Sequence, residues 1–362
     1  MCVRFHLTSY VRCDNISHNM LALCKMAAGV GNIGLREVPR PVPSADEVLI
    51  RVQAAGICGS DLHIQNWDTK IAIVPPVVMG HEFSGVIEEV GPAVRGLRPG
   101  ERVTGEPTYG SCGRCAYCRA GSYNLCADRT VLGYSADGAF AEFLRIPSER
   151  VHPLPDNVGF HAGALSEPLA CCVHGLYEGA GVAAHELAVV IGPGAIGLLA
   201  LQLLRAAGAR TVVLGKSADA ERLSLARALG ADRAVDVDRE DPRKAVLEAG
   251  GDGGADLVVE CSGARASAGL GLELLRKRGR YVQMGLFGKP IELDLDLIAY
   301  KELRMSGSIA QKWSAWRTAL ALMAAGKVRL EPLVTDVLPL REWQDGFRRF
   351  REKSGLKVVL TP

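Results

Sequence analysis

The stretch LAVVIGPGAIGLLALQLL, residues 187–204, decides the fold. It holds no charged residue, and its length touches the lower edge of a membrane span, roughly 17–25 residues. Gly192-Pro193-Gly194 interrupts it and would break a lipid-facing helix. Read as a buried strand over 187–192 that turns into a helix over 195–207, every feature has a place. Gly192, Gly194 and Gly197 then form a G-x-G-x-x-G, with Ala195 and Ile196 before the last glycine. Such glycines let a backbone approach a pyrophosphate, and the helix N-terminus meets its charge. The loop is expected to bind a dinucleotide.

Downstream, strands and helices alternate. TVVL (211–214) reads as a strand, followed by a helix over 218–229 closed by Gly230. ADLVVEC (255–261) is the next strand, then a helix up to Lys277 and the strand GRYVQMG (279–285). Short strands alternating with helices imply a doubly wound parallel sheet, an α/β domain placed at 176–310. An acid about 20 residues beyond the glycines usually holds the ribose 2′-OH, and it is missing. The second strand ends instead in Leu214-Gly215-Lys216-Ser217, with Arg222 in the next helix. Lys216, Ser217 and Arg222 could hold a 2′-phosphate, which favours NADP over NAD. Asp219 keeps NAD open.

Upstream the pattern is different. EVLIRVQ (47–53) alternates as a strand, and short strands punctuated by Gly and Pro run to about residue 151. A helix carrying Trp313 and Trp316 and a last strand LKVVL (356–360) look like a return to this first, mainly β domain, expected over 20–175 and 311–362. Residues 1–19 match neither pattern and read as a tail. They lack the apolar core of an export signal, so a reducing cytoplasm is expected. The 362 residues carry a formal net charge of only +2. That balance argues against a nucleic-acid binder and lends no support to a membrane-surface role.

Eleven cysteines stand out, and four of them fall in GSCGRCAYCRAGSYNLC (110–126). Cys112, Cys115, Cys118 and Cys126 are spaced C-x2-C-x2-C-x7-C. Tight turns at this spacing gather four thiolates around a structural zinc, although an iron–sulfur cluster accepts similar spacings. The lobe is expected near 108–130. A second group is dispersed: Cys58, His81 with Glu82, and Glu167. Thiolate, imidazole and carboxylate suit an open zinc site that keeps one position for water or substrate.

Taken together, CGSDLH (58–63), GHEFSG (80–85), the four-cysteine lobe, SEPLA (166–170) and GPGAIG (192–197) resemble the zinc-dependent medium-chain dehydrogenase/reductase family, the alcohol dehydrogenase superfamily. The resemblance runs from about Met20 to the C-terminus. Glu167-Pro168-Leu169 is similar to the sorbitol (L-iditol) dehydrogenases, and HIQNWD (63–68) to the threonine dehydrogenases. It implies a GroES-like catalytic domain beside a Rossmann domain, two Zn2+ per chain, NADP or NAD, and a homo-oligomer, dimer or tetramer. Cys58, His81 and a glutamate would hold the catalytic zinc. Both Glu82 and Glu167 match, with Cys171 or Cys172 as a substitute. Ser60 matches the hydroxyl that touches the substrate oxygen, and His63 the end of its proton relay. Asp61 would brace the loop.

The implied reaction is hydride transfer between a secondary alcohol, of a polyol or sugar-derived molecule, and NAD(P). L-threonine 3-dehydrogenase is the alternative, but it needs a site for charged groups that the sequence does not place. A non-catalytic nucleotide- and zinc-binding relative would be expected to have lost ligands, and none of Cys58, Ser60, His63, His81 or Glu82 is missing.

Overall fold

The structure, a computed structural model, describes residues 19–250 and 252–362. The expected tail therefore lies outside the described residues, except Asn19, which already opens the strand Asn19–Lys25.

The 187–204 stretch folds as the strand Leu187–Ile191 and the helix Ala195–Ala206. Both are buried because neighbours cover them on each side, which is why no polar face appears in the sequence. No described helix is long and apolar enough to cross a membrane. The strand lies inside a six-stranded sheet whose pairings are all parallel. Arg233–Asp236 and Arg210–Gly215 lie on one side of it; Ala255–Glu260, Leu275–Gln283 and Arg304–Gly307 lie on the other. Strand order reverses beside Leu187–Ile191, the place where such sheets bind ligands.

Two boundaries differ in kind from the sequence reading, where an expected helix is strand or 3-10 turn. The helix expected to reach Lys277 stops at Leu274, and Leu275–Gln283 is strand. Buried Leu275 pairs with Ala255 before a register shift, so sheet pairing overrides the helical propensity of the LRKR segment. The helix expected from residue 218 is a 3-10 turn over Ser217–Asp219 and an α-helix over Ala220–Ala228.

The other large sheet is built on Glu47–Gly56, which pairs antiparallel with both Glu82–Val90 and Phe143–Pro147. The C-terminal strand Lys357–Thr361 joins it, with Val359 opposite Gly56. Residues some 300 apart in sequence are thus neighbours at the end of one strand, and the functional groups gather there. The helix Ser166–Val173 packs against both the helix Ala195–Ala206 and the strand Glu82–Val90, so it links the two sheets.

Candidate active site

The strand Glu47–Gly56 runs into Cys58, which caps the helix Gly59–Asn66. His81 immediately precedes the adjacent strand, which Glu82 opens. The ligand atoms of Cys58, His81 and Glu82 lie within 4.8 Å of one another. Asp61 is fully buried and accepts the Cys58 backbone N–H at 2.9 Å. Its other oxygen faces His81 Nδ1 at 3.9 Å, and neither atom has a hydrogen-bond partner. His81 Nε2 points the opposite way, 3.3 Å from Ser60 Oγ. A ring oriented by a carboxylate on one nitrogen and open on the other is how a metal-ligating histidine is held.

The charges around His81 lean the same way. Burial alone would lower its pKa, but the Cys58 thiol and the carboxylates of Asp61 and Glu167 outweigh that and push it up to about 10. The pocket has an excess of negative groups that a cation would relieve. Burial dominates at Asp61, pushed up to about 6, and also raises Glu167. Thiol, imidazole and carboxylate together fit zinc.

The two candidate glutamates have different partners. Glu82 belongs to the ligand group and also forms a buried ion pair with Lys357. The two carboxylate oxygens of Glu82 and the carbonyl of Ile57, 3.0 Å away, surround Lys357 Nζ. Burial would lower the Lys357 pKa, but the Glu82 carboxylate overrides it. A side chain in place of Gly56 would collide with this pair. Glu167 lies outside the 4.8 Å group; Gln311 Nε2 donates to it at 2.8 Å and the Cys171 thiol at 3.6 Å. Cys172 points to the carbonyl of Ile196, so neither of these two cysteines joins the ligand group.

Ser60 and His63 lie one turn apart on the helix Gly59–Asn66. His63 Nδ1 is 2.7 Å from Asp68 Oδ1. A carboxylate can only accept, so Nδ1 carries the proton and Nε2 is left as an acceptor. The Tyr134 ring stands 6.1 Å from that of His81.

The four-cysteine lobe closes on itself. Its sulfur atoms also lie within 4.8 Å of one another. Backbone N–H groups of Cys112, Cys115 and Cys118 donate to the sulfurs of Cys126, Cys112 and Cys115, each at 3.4 Å. Amides of Arg114 and Cys115 hold the Cys112 thiol down at about 6. A closed cage of four thiols with no open position is the chemistry of a structural metal.

At the dinucleotide loop, Gly192 has φ +99° and a Cβ there would meet Ser262 at 2.7 Å. A Cβ on Gly197 would run into the Gly192 carbonyl, whereas Gly194 faces open space at the N-cap of its helix. The helix N-terminus is thus open to a ligand. Gly215 has a packing reason as well: a Cβ would lie 2.9 Å from Pro193 and 3.1 Å from Leu223. Lys216 is exposed. Ser217 Oγ donates to Asp236 at 2.7 Å, and the Ser217 N–H to Asp238 at 3.0 Å. Arg222 reaches the carbonyls of Lys353 and Gly355, across to the other sheet's C-terminal segment.

With that geometry in view, residues 44–156 match the alcohol dehydrogenase GroES-like domain, and residues 195–325 match the zinc-binding dehydrogenase domain. A sorbitol dehydrogenase of Halalkalibacterium halodurans is 41% identical over 95% of this chain and 99% of its own. The chain belongs to the zinc-binding alcohol dehydrogenase family. A D-arabitol-phosphate dehydrogenase of Enterococcus avium is 38% identical over 95% of this chain and 98% of its own. A zinc-binding dehydrogenase of Sinorhizobium meliloti, solved with NADP bound, superposes with a TM-score of 0.88 at 34% identity, covering 95% of this chain and all of that one. As a member of this family the protein is a zinc-dependent oxidoreductase that acts on an alcohol with NAD(P).

Sequence reasoning missed several residues here. Lys357 had a signal, a lysine inside the apolar run LKVVL. Asp236 had a weaker one, an acid ending the third strand of the dinucleotide sheet. Gln311 and Tyr134 had none.

Proposed function

We propose that this chain oxidises a secondary alcohol of a polyol or sugar-derived substrate, and reduces the matching ketone in reverse. The observation that carries the reading is the helix Ser166–Val173. Glu167 on it acts on the charge of His81, while Cys172 on it contacts Ile196 of the dinucleotide loop. One helix thus touches both the ligand group and the cofactor loop, as a transfer between a substrate at the one and a nicotinamide at the other would require.

Cys58 and His81 with Glu82 would hold the catalytic zinc, Glu167 standing behind as an exchangeable carboxylate; Cys112, Cys115, Cys118 and Cys126 would hold the structural one. When bound, zinc supplies Lewis acidity toward the substrate hydroxyl and NAD(P) supplies the hydride acceptor. Ser60 Oγ, beside His81 Nε2, is placed to take the proton from that hydroxyl. His63, with Asp68 on Nδ1, offers Nε2 as the next acceptor on the way to solvent. Lys216 and Ser217 would meet the adenosine ribose or its 2′-phosphate.

The catalytic domain is taken as 20–175 with 311–362, and the dinucleotide domain as 176–310. A homo-oligomer is supported by the edge strand Arg304–Gly307, where Met305 and Ile309 are exposed with Leu295 and Tyr300. A reducing cytoplasm is supported by nine free cysteines among the described residues.

The test is a rate panel of polyols, sugar acids, simple alcohols and threonine, each with NAD and NADP. Fastest turnover on simple primary alcohols would overturn the polyol reading.

A further inference from the structure

Arg129 lies among charged and polar groups of this site, and its Nη1 has no hydrogen-bond partner. Its backbone N–H donates to the Cys126 carbonyl at 3.2 Å, so the four-cysteine lobe holds its main chain in place. The next residues, Thr130–Val131, pair with Thr108–Gly110, and Tyr134 follows in the same turn, beside His81. Nη1 of Arg129 is buried without a hydrogen-bond partner, and the guanidinium makes no ion pair among the described residues. Arg150 has a buried orphan atom too, but its Nη atoms pair with Glu106 and Glu149.

The charged or titratable groups that act on Arg129 are Cys171, Glu167 and Tyr134 of the site and Cys126 of the lobe. Burial pushes the arginine's pKa down, and these neighbours only partly offset it. Glu167 accepts from Gln311 and Cys171 on Oε1, and neither a hydrogen bond nor an ion pair joins it to Arg129. A half-buried guanidinium without a partner is unfavourable unless something else fills its donors.

We propose that the substrate carries an oxyanion, a phosphate or a carboxylate, and that Arg129 binds it while the carbinol lies at Ser60 and His81. The inference rests on the alcohol-oxidising reading above and narrows its substrate class. The planar fork of Arg matches either oxyanion with two parallel hydrogen bonds. A neutral polyol could accept hydrogen bonds through its hydroxyl oxygens but would leave the buried positive charge uncompensated.

The experiment compares wild type, Arg129→Gln and Arg129→Lys on a pentitol, its terminal phosphate and threonine, reading kcat and KM separately. The ratio of kcat/KM on the anionic substrate to that on the pentitol should fall about 10- to 100-fold in Arg129→Gln, mostly through KM. Arg129→Lys should recover part of it, because the charge remains but the fork does not. The phosphate and threonine arms tell which oxyanion is meant. An unchanged ratio in Arg129→Gln would overturn the proposal. Should the chain oxidise no alcohol, the reading of its function fails, but the arginine is still decided by thermal shift in inorganic phosphate. Stabilisation of wild type that Arg129→Gln loses supports the anion site; equal stabilisation of both overturns it.

Discussion

The four thiols of the lobe come from residues 112–126, and local backbone amides bond their sulfurs. The ligand group at Cys58, His81 and Glu82 is assembled where two strands end and begin, with Asp61 on the helix that Cys58 caps, and with Lys357 and Glu167 coming from distant segments. The lobe is closed and all sulfur; the other group is buried, mixed in chemistry and open toward Ser60. A local cage serves structure because few dihedrals set it. A dispersed group serves chemistry because long-range packing orients it and leaves one side free.

Substitutions on the two sides should separate these roles. His81→Ala should lose one of two zincs and drop kcat/KM by about 1000-fold or more, about 4 kcal/mol, with the fold retained by near-UV circular dichroism. Cys118→Ser should also lose one zinc, yet keep most activity in the cold while stability falls on the order of 4 kcal/mol. Metal analysis with melting curves reads both. Were Cys118→Ser to abolish turnover without lowering Tm, the division between cage and open site would be wrong.

An effect of similar size sharpens the charge balance of the open group. Lys357→Met removes the buried partner of Glu82 and should cost about 3–5 kcal/mol in metal-free protein. Added zinc should narrow that gap, because a cation beside Glu82 replaces the lost ammonium. A gap identical with and without zinc, measured by denaturant unfolding, would show that Glu82 does not face the metal.

The smallest expected effect lies at the cofactor's far end. Lys216→Asp should weaken NADP by about 1.5–3 kcal/mol, roughly one to two decades, and leave NAD equal or better. Titration by nucleotide fluorescence checks it. If wild type prefers NAD and the variant keeps that ratio, the acceptors Asp236 and Asp238 beside Ser217 set the choice instead.

Elements whose signal is local were legible. The apolar strand, the glycines and the helix of 187–206 lie in one continuous segment, and each constrains its neighbours through a few bonds. The same holds for the cysteine spacing, whereas Ser60 and His63 were named only through the family resemblance. Element ends were less legible: Leu275 is a strand because Ala255 lies opposite, a contact that propensity does not encode.

Cys58, His81, Glu82 and Glu167 could be nominated from the chain as written, and so could the dinucleotide loop. Only the tertiary structure decided which glutamate stands with Cys58 and His81, and gave that glutamate a lysine from the last strand. It alone turned Arg222 toward Lys353 and Gly355, and left Arg129 unpaired beside the site. The physical reason is range. Turn chemistry and ligand spacing act over a few residues, whereas the partner of a buried charge is chosen by whichever strand packs against it, however distant in sequence.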